Sequence, residues 1–374
     1  MHRHIRPTMT SSMQTYLKLL ALATGSEEVF DIAPEQIDWP SVIRMAMTDG
    51  LDALTFDGVK VLYKRQPEMA ERLDASTGDL KYEWLGYALQ VEQDYKTYLK
   101  RLRALAAFYN EEGFRMLILK GYGLSLEYPV PAHRPTGDID VYLYGRGAEA
   151  DERVRERLGV EVDQSQVMHS VFRFQGVSVE DHASFLNVAS HRCLRPLEEF
   201  LEQEALNAKE LVIGGYKVYV PTPQMNAVYL LCHMSSHFVY NGLLLKQVLD
   251  WAVFLRRHGA SIDWDKVMQL AHKTGRFELF RAFNGIVVDH FEVPASVVPD
   301  WGRDLALEDR IWEDVLAPRR EMVGRSVWKK ATDLLASRWR YRLTYRESFG
   351  LYFLKRAWAN ISRGIPGVQK KVWE

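Results

Sequence analysis

Hydrophobic residues in the first third of the chain recur with the spacing of amphipathic helices. In the segment 13–24 the apolar residues fall three and four positions apart, which places them on one face of a helix. The segment 82–109 continues the same pattern over a greater length. The pattern therefore predicts a helical region over residues 1–113 that supplies packing surface and carries few residues suited to chemistry.

From residue 114 the pattern changes to short apolar or alternating runs bounded by glycine and proline, which is typical of strands. The expected strands are 114–120, 138–144, 168–174, 177–183 and a hairpin over 211–220, with helices over 147–158 and 196–208. Strands interleaved with helices in this way form a small sheet on which the helices pack. Residues 114–222 are thus predicted to be an α+β domain built on a small mixed sheet.

Residues 223–374 return to helical spacing, with apolar-rich helices expected at 224–240 and 243–258. Asp38 and Asp263 each stand in an Ile-Asp-Trp sequence just before an amphipathic stretch, which is the position of a helix N-cap. The complete chain is therefore expected to be a central sheet domain flanked by an N-terminal and a C-terminal helical region.

The net charge is close to zero but unevenly distributed. The chain has 48 basic and 49 acidic residues, which argues against a dedicated nucleic-acid binder. Residues 319–374, however, hold 14 Lys or Arg and 4 acidic residues, and aromatic residues accompany the arginines from Arg338 to Trp358. Such a segment could bind nucleic acid, lie on an anionic membrane, or pack on the acidic remainder of the chain. Contact with nucleic acid or a membrane is expected only through this segment.

Other features of the composition favour a cytoplasmic protein. Cys193 and Cys232 are too few for a disulfide framework or a zinc ribbon. No apolar run reaches the length of about 18 residues that a transmembrane helix needs. Residues 1–12 are basic but lack the apolar stretch of a secretory signal.

The sequence Gly-Asp-Ile-Asp-Val-Tyr-Leu places Asp138 and Asp140 at the start of an expected strand. Residues two apart on a strand share a face, so both carboxylates point to the same side, about 6 to 7 Å apart. Like charges at this separation favour a cation between them, and Mg²⁺ prefers carboxylate and phosphate oxygens. The alternative is an acidic strand edge that faces solvent.

A glycine-containing turn lies upstream, where Lys120, Gly121, Tyr122 and Gly123 join a strand to a short helix. Free backbone N–H groups at such a junction favour an anion, glycine allows a phosphate to approach closely, and Lys120 adds a positive charge. Alone, this motif predicts only a turn. Combined with the two aspartates, it predicts a nucleoside triphosphate with its phosphates on the turn and its metal on the carboxylates.

These motifs resemble the nucleotidyltransferases of the DNA polymerase beta superfamily, which have a glycine-containing turn, then hydrophobic-Asp-hydrophobic-Asp, then a third acid on a later strand. The chain is most similar to a bacterial family called "uncharacterised nucleotidyltransferase". The matching residues are Leu119-Lys120-Gly121, Tyr128-Pro129, Arg134, Gly137-Asp138-Ile139-Asp140, Glu180-Asp181-His182, Pro223, His233, His237 and Asp250. The resemblance extends over residues 15–300 and is most specific in the block 119–140.

The resemblance implies Mg²⁺-dependent transfer of a nucleoside monophosphate from an NTP to an acceptor hydroxyl, with Mn²⁺ as an alternative metal. Asp138 and Asp140 would hold the metal, and Arg134 would join the turn in binding the nucleotide. Alternation along the later strand favours Glu180 as third ligand and general base, with Asp181 as the alternative.

Two further histidines, His233 and His237, stand four residues apart on an expected helix and share a face. Met234 occupies the position where a zinc protease needs Glu, so that class is excluded. With His182 they are candidates for the cleft, and Asp250 on the next helix is a candidate hydrogen-bond partner. Ordinary packing of the two histidines is the alternative.

The acceptor could be a small hydroxylated molecule, a sugar or a protein side chain, and the sequence does not select among them. A second class of function also fits the sequence: a non-catalytic nucleotide-binding or toxin-neutralising module on the same fold. The intact Asp138 and Asp140 favour the enzyme, whereas the ambiguity of the third acid keeps the second class open.

Overall fold

The computed structural model describes residues 9–240, 242–317 and 335–350. Its N-terminal part is helical, and the two helices expected from the apolar spacing are present as the first and the fifth. The helices are α1 (Ser11–Ala23), α2 (Trp39–Asp49), α3 (Asp52–Arg65), α4 (Ala70–Thr77) and α5 (Leu80–Glu111).

The central part forms a sheet of seven strands in the order β3-β4-β5-β2-β1-β7-β6. The strands are β1 (Leu117–Ile118), β2 (Ile139–Tyr142), β3 (Val162–Asp163), β4 (His169–Phe174), β5 (Val177–His182), β6 (Lys209–Ile213) and β7 (Tyr216–Val220). Helices α6 (Tyr122–Ser125), α7 (Gly147–Leu158) and α8 (Arg195–Ala205) connect them. β2 pairs with β5, and β1 with β7, in parallel, while the other pairs are antiparallel. The expected mixed sheet of an α+β fold is therefore confirmed.

Two details of the sheet differ from the expectation. The strand expected over 114–120 is only two residues long, because this segment pairs with β2 and β7 only around Leu117. Strand β3 was not predicted, since two residues are too few to show an alternating pattern.

The C-terminal part returns to helices: α9 (Pro223–Tyr240), α10 (Leu245–His258), α11 (Trp264–Thr274), α12 (Phe277–Phe291), α13 (Leu305–Leu316) and α14 (Arg338–Thr344). The predicted caps are confirmed: the Asp38 side chain accepts from the Ser41 N–H, and that of Asp263 from the Lys266 N–H. Within the described ranges, no helix is both long and apolar enough to cross a membrane.

The sheet lies between two hydrophobic clusters. Ile139 and Val141 of β2 belong to a cluster that also contains Leu105 of α5, as the alternation of β2 predicts. The other cluster joins helices from both ends of the chain, such as Tyr16 of α1 and Trp251 of α10. The division of the chain at residues 113 and 222 stays a prediction, because the two helical regions share this second core.

The basic, aromatic segment near the C-terminus lies only partly in the described ranges. Trp339 packs edge-on against Phe238 with ring centroids 5.2 Å apart, Tyr341 is buried, and Arg340 pairs with Asp314. These residues pack on the remainder of the chain, which is one of the three alternatives given for this segment. Residues 319–334 and 351–374 of this segment lie outside the described residues, so its contact with nucleic acid or a membrane stays a prediction.

Close packing of α1 on α3 depends on Gly58. A Cβ at this position would lie 2.2 Å from the Leu19 carbonyl oxygen, so the helices would have to separate. Gly58→Ala should therefore lower the free energy of unfolding by about 1 to 3 kcal/mol, as overpacked cores do. Gly86→Ala on α5 is the control, because its Cβ would meet no atom within 4 Å and should be neutral or stabilising. Equal urea-unfolding free energies for the two variants would contradict this account of the contact.

Candidate active site

The parallel register of β2 and β5 brings the predicted functional residues together. Asp140 pairs with Glu180, and His182 at the end of β5 pairs with His169 across the hairpin to β4. Paired residues on neighbouring strands point to the same face of a sheet. Asp140, Glu180, His182 and His169 therefore lie side by side on one face.

Asp140 is the centre of this group and is 6% exposed. Its Oδ1 accepts from Lys120 Nζ at 2.8 Å and lies 3.2 Å from His182 Nε2. Burial alone would raise the pKa of the Asp140 carboxyl, but the charges of Lys120 and His182 outweigh burial and hold that pKa well below its usual range. Asp140 is thus an ionised carboxylate in a largely water-free position.

Asp138 stands directly before β2 at the solvent side of the same group. Its pKa is raised, first by desolvation and then by the negative charges of Glu180 and Asp140. The three carboxylates are therefore close enough to repel one another. A divalent cation with oxygen ligands would relieve this repulsion, so the carboxylates present fit the metal that the sequence predicts.

Glu180 and Asp181, the two alternatives for the third acid, lie on opposite faces of the sheet. Glu180 shares the face of Asp140, with its Oε2 3.7 Å from His182 Nε2. Asp181 points to the opposite face, where its oxygens lie 3.2 and 3.3 Å from the position of a Cβ added to Gly147 at the start of α7. The geometry favours Glu180, and its role as a metal ligand stays a prediction.

His169 belongs to the group although the sequence analysis did not single it out. The ligand atoms of His169, Glu180 and His182 all lie within 4.8 Å of one another. Both ring nitrogens of His169 are buried without a hydrogen-bond partner among the described residues, and burial lowers its pKa. A neutral imidazole with a free lone pair can serve as a metal ligand. Counting outward from the two-residue turn Gln175-Gly176 would have placed His169 opposite His182.

The glycine turn has the backbone that the sequence predicts. Gly121 has a φ of +50°, and a Cβ on it would lie 2.7 Å from the Tyr98 hydroxyl, so glycine is required here. A Cβ on Gly123 would touch Val220 at 3.4 Å, an ordinary contact. Tyr122 is half-buried and packs against the hydrophobic cluster that contains Leu105 of α5. Binding of phosphates at this turn stays a prediction.

Arg134 connects the glycine turn to Asp250 of α10 through hydrogen bonds. Its Nε and Nη2 donate to the two carboxylate oxygens of Asp250 at 2.7 and 2.9 Å, and its Nη1 lies 3.2 Å from the carbonyl oxygens of Gly121 and Pro135. Tyr128 donates to the same Asp250 carboxylate at 2.8 Å. The guanidinium is thus engaged within the protein, and its predicted contact with the nucleotide is untested. Asp250 serves Arg134 and does not orient a histidine.

His233 and His237 lie on α9 with ring centroids 4.5 Å apart. The polar neighbour of His233 is Gln247, whose Nε2 lies 3.5 Å from His233 Nε2. Burial, followed by the nearby Lys120 charge, lowers the pKa of both histidines, to about 4 for His237. Both rings are therefore neutral at physiological pH and lie close to the Lys120–Asp140 pair.

The family described as uncharacterised nucleotidyltransferase matches residues 35–291, well over half of the chain. The chain belongs to this family. The match includes the whole sheet and every residue of the group around Asp140, as well as α9 to α12. Membership indicates nucleotidyl transfer and an NTP substrate. Neither a curated protein nor a solved structure is similar enough to this chain to count as a match.

The burial of Asp181 generates a prediction about stability and pH. Burial, and then the charge of Asp151, raise the pKa of Asp181 to about 8. The unfolded chain has an ordinary carboxyl with a pKa of about 3.9, so it loses its proton first as the pH rises. The stability that Asp181 contributes is full below about pH 4 and falls by up to about 1.4 kcal/mol per pH unit until about pH 8.

Asp181→Asn should remove this part of the pH dependence, so the variant should gain stability over the natural protein between pH 5 and 8. Urea unfolding in metal-free buffer across this range measures the difference. Asp163→Asn is the control, because Asp163 is exposed on β3 and its pKa is lowered. A parallel pH dependence for the natural protein and Asp181→Asn would refute the assigned protonation.

Proposed function

We propose that this protein is a divalent-metal-dependent nucleotidyltransferase that moves a nucleoside monophosphate from an NTP to an acceptor hydroxyl on a small molecule, a sugar or a protein side chain, with pyrophosphate as the leaving group. The observation that carries the proposal is the pairing of Asp140 with Glu180, beside Asp138 and Lys120. Three carboxylates and a lysine on one face of the sheet match the needs of phosphoryl transfer, in which catalysis is mainly positioning and neutralisation of charge.

Asp138, Asp140 and Glu180 would hold Mg²⁺, which prefers oxygen ligands. Mn²⁺ accepts the same oxygens and also imidazole nitrogen, which the neutral ring of His169 offers. The metal would neutralise phosphate charge and lower the pKa of the acceptor hydroxyl.

Residues of the chain perform the remaining tasks. Lys120 neutralises Asp140 before substrate binds, and its ammonium can turn from Asp140 to the triphosphate, because it follows β1 directly at the glycine turn. His182 holds the Asp140 carboxylate in place. Glu180 is the general base that accepts the proton of the acceptor hydroxyl, because it lies on the face of Asp140 and Asp181 does not.

Asp140→Asn should abolish the metal-dependent part of NTP binding. Isothermal titration of the four NTPs into the natural protein should show binding in Mg²⁺ that is at least about tenfold tighter than in EDTA, the scale of a lost charged contact. In Asp140→Asn the two conditions should give the same affinity, and Asp138→Asn should weaken binding in the same direction.

Glu210→Gln on β6 is the matched control, because it changes an exposed acid of the same sheet far from the cleft. It should leave the Mg²⁺ effect unchanged. Unaltered NTP affinity in Asp140→Asn, measured on folded protein, would exclude the proposed metal site.

The nitrogen donor of His169 predicts that the site binds Mn²⁺ more tightly than Mg²⁺. Titrating Mg²⁺ and Mn²⁺ at a fixed NTP concentration should give half-maximal binding at a lower concentration of Mn²⁺, because the neutral His169 ring offers a nitrogen donor beside the carboxylates. His169→Ala should reduce this preference and leave the Mg²⁺ response intact. A Mn²⁺ response that is equal in the natural protein and in His169→Ala would remove His169 from the ligand set.

A further inference from the structure

A cavity of about 70 Å³ lies beside the proposed catalytic group and reaches α9 and the start of α12. A bound water needs about 10 to 15 Å³ of such space, so the cavity holds about five waters or one small polar group. Its polar lining consists of Lys120, His182, Asn187, His233, Ser236 and Arg276, and the rest is mostly apolar or aromatic.

Arg276 is the unusual residue of this cavity. It is 2% exposed, and its Nε and Nη1 donors have no hydrogen-bond partner in the described part of the chain. Its guanidinium lies 5.1 Å from the centre of the Tyr345 ring. A ring face compensates a buried cation far less than an anion does, and buried arginines are nearly always paired.

Among the described residues, no carboxylate is paired with Arg276: the acid Glu347, which like Arg276 acts on the Cys193 thiol, accepts from the Cys193 N–H at 3.0 Å. None of the residues that line the cavity carries a carboxylate. Lys120, the other cation of the lining, is already paired with Asp140 at 2.8 Å. A further cation, Arg346, packs against Gly275, the residue before Arg276, and donates to the His272 carbonyl at 2.6 Å. The cavity therefore has an uncompensated positive charge at its wall.

The position of the cavity separates it from the expected triphosphate site. Lys120 and His182 border it, whereas Asp138 and the turn residues Gly121, Tyr122 and Gly123 do not. Its volume is too small for a nucleoside but suits a single charged group. A second substrate that presents an oxyanion here would be anchored next to the carboxylates that activate its hydroxyl.

We propose that the cavity binds a carboxylate or phosphate group of the acceptor, with Arg276 as its charged partner, so that the acceptor is an acidic molecule. The planar guanidinium can bind either group through two parallel hydrogen bonds. Anion binding stands on the cavity alone, whereas assignment to the acceptor rests on the proposed function.

Inorganic phosphate and acetate are the probes, titrated separately into the protein in a chloride buffer of constant ionic strength and followed by calorimetry and thermal unfolding. One or both should bind saturably and raise the melting temperature, and the tighter probe identifies the class of anion. Arg276→Gln should weaken binding about ten- to hundredfold, the range for a lost charged hydrogen bond. Ser236→Met should have the same effect, because it fills the cavity without changing its charge.

Arg281→Gln on the same helix is the control, because Arg281 pairs with Glu278 and does not line the cavity. It should keep the affinity of the natural protein for the anion. Arg276→Gln and Ser236→Met should both keep NTP affinity in Mg²⁺, and saturating MgATP should leave anion binding unchanged.

Three results would overturn the proposal: no saturable binding of either probe, equal anion affinity in the natural protein and in the folded variants, or joint loss of anion and NTP binding, which would assign the cavity to the nucleotide. If the natural protein binds the anion but no NTP, the proposed function fails and the acceptor assignment fails with it. That result is separable, because the anion titration contains no nucleotide.

Discussion

The site depends on keeping one buried carboxylate ionised. Asp140 is almost inaccessible to water, and burial favours the neutral form of a carboxyl. Lys120 and His182 reverse this preference, and they stand on the chain segments to either side of β2. The Leu119 N–H donates to the Asp140 carbonyl at 3.1 Å, which holds Lys120 beside β2. The strand order β5-β2-β1 therefore brings Lys120, Asp140 and His182 together, although the three residues are far apart in sequence.

Buried carboxylates on the two faces of β2 and β5 have pKa values shifted in opposite directions. On the face of Asp140, cations compensate the charge, and the carboxylate is available to bind a metal. On the other face, burial and the charge of Asp151 outweigh the opposing charge of His182, and the pKa of Asp181 rises to about 8. Glu180 and Asp181 are adjacent in sequence, so the alternation of β5 alone places one of them on the face of Asp140 and the other on the opposite face.

Local patterns predicted the features that depend on neighbours in sequence. Alternation located β2, β4 and β5, the capping roles of Asp38 and Asp263 were readable from their positions, and the pair Asp138 and Asp140 leads to the site. The pairing of Arg134 with Asp250 was out of reach because 116 residues separate them. The same limit hid Arg276, since an isolated arginine between two helices has no local signature and becomes notable only when its buried donors have no partner among the described residues.

The C-terminal helices are more than a support for the sheet. The sheet contributes carboxylates, whereas the helical side contributes the neutral His233 and His237 and the buried cation Arg276. The NTP of a nucleotidyltransferase is an anion, and a sheet face rich in carboxylates would repel it. Positive charge from the helical half offsets this repulsion, which gives a physical reason for the family match to extend through α12 and not to end with the sheet.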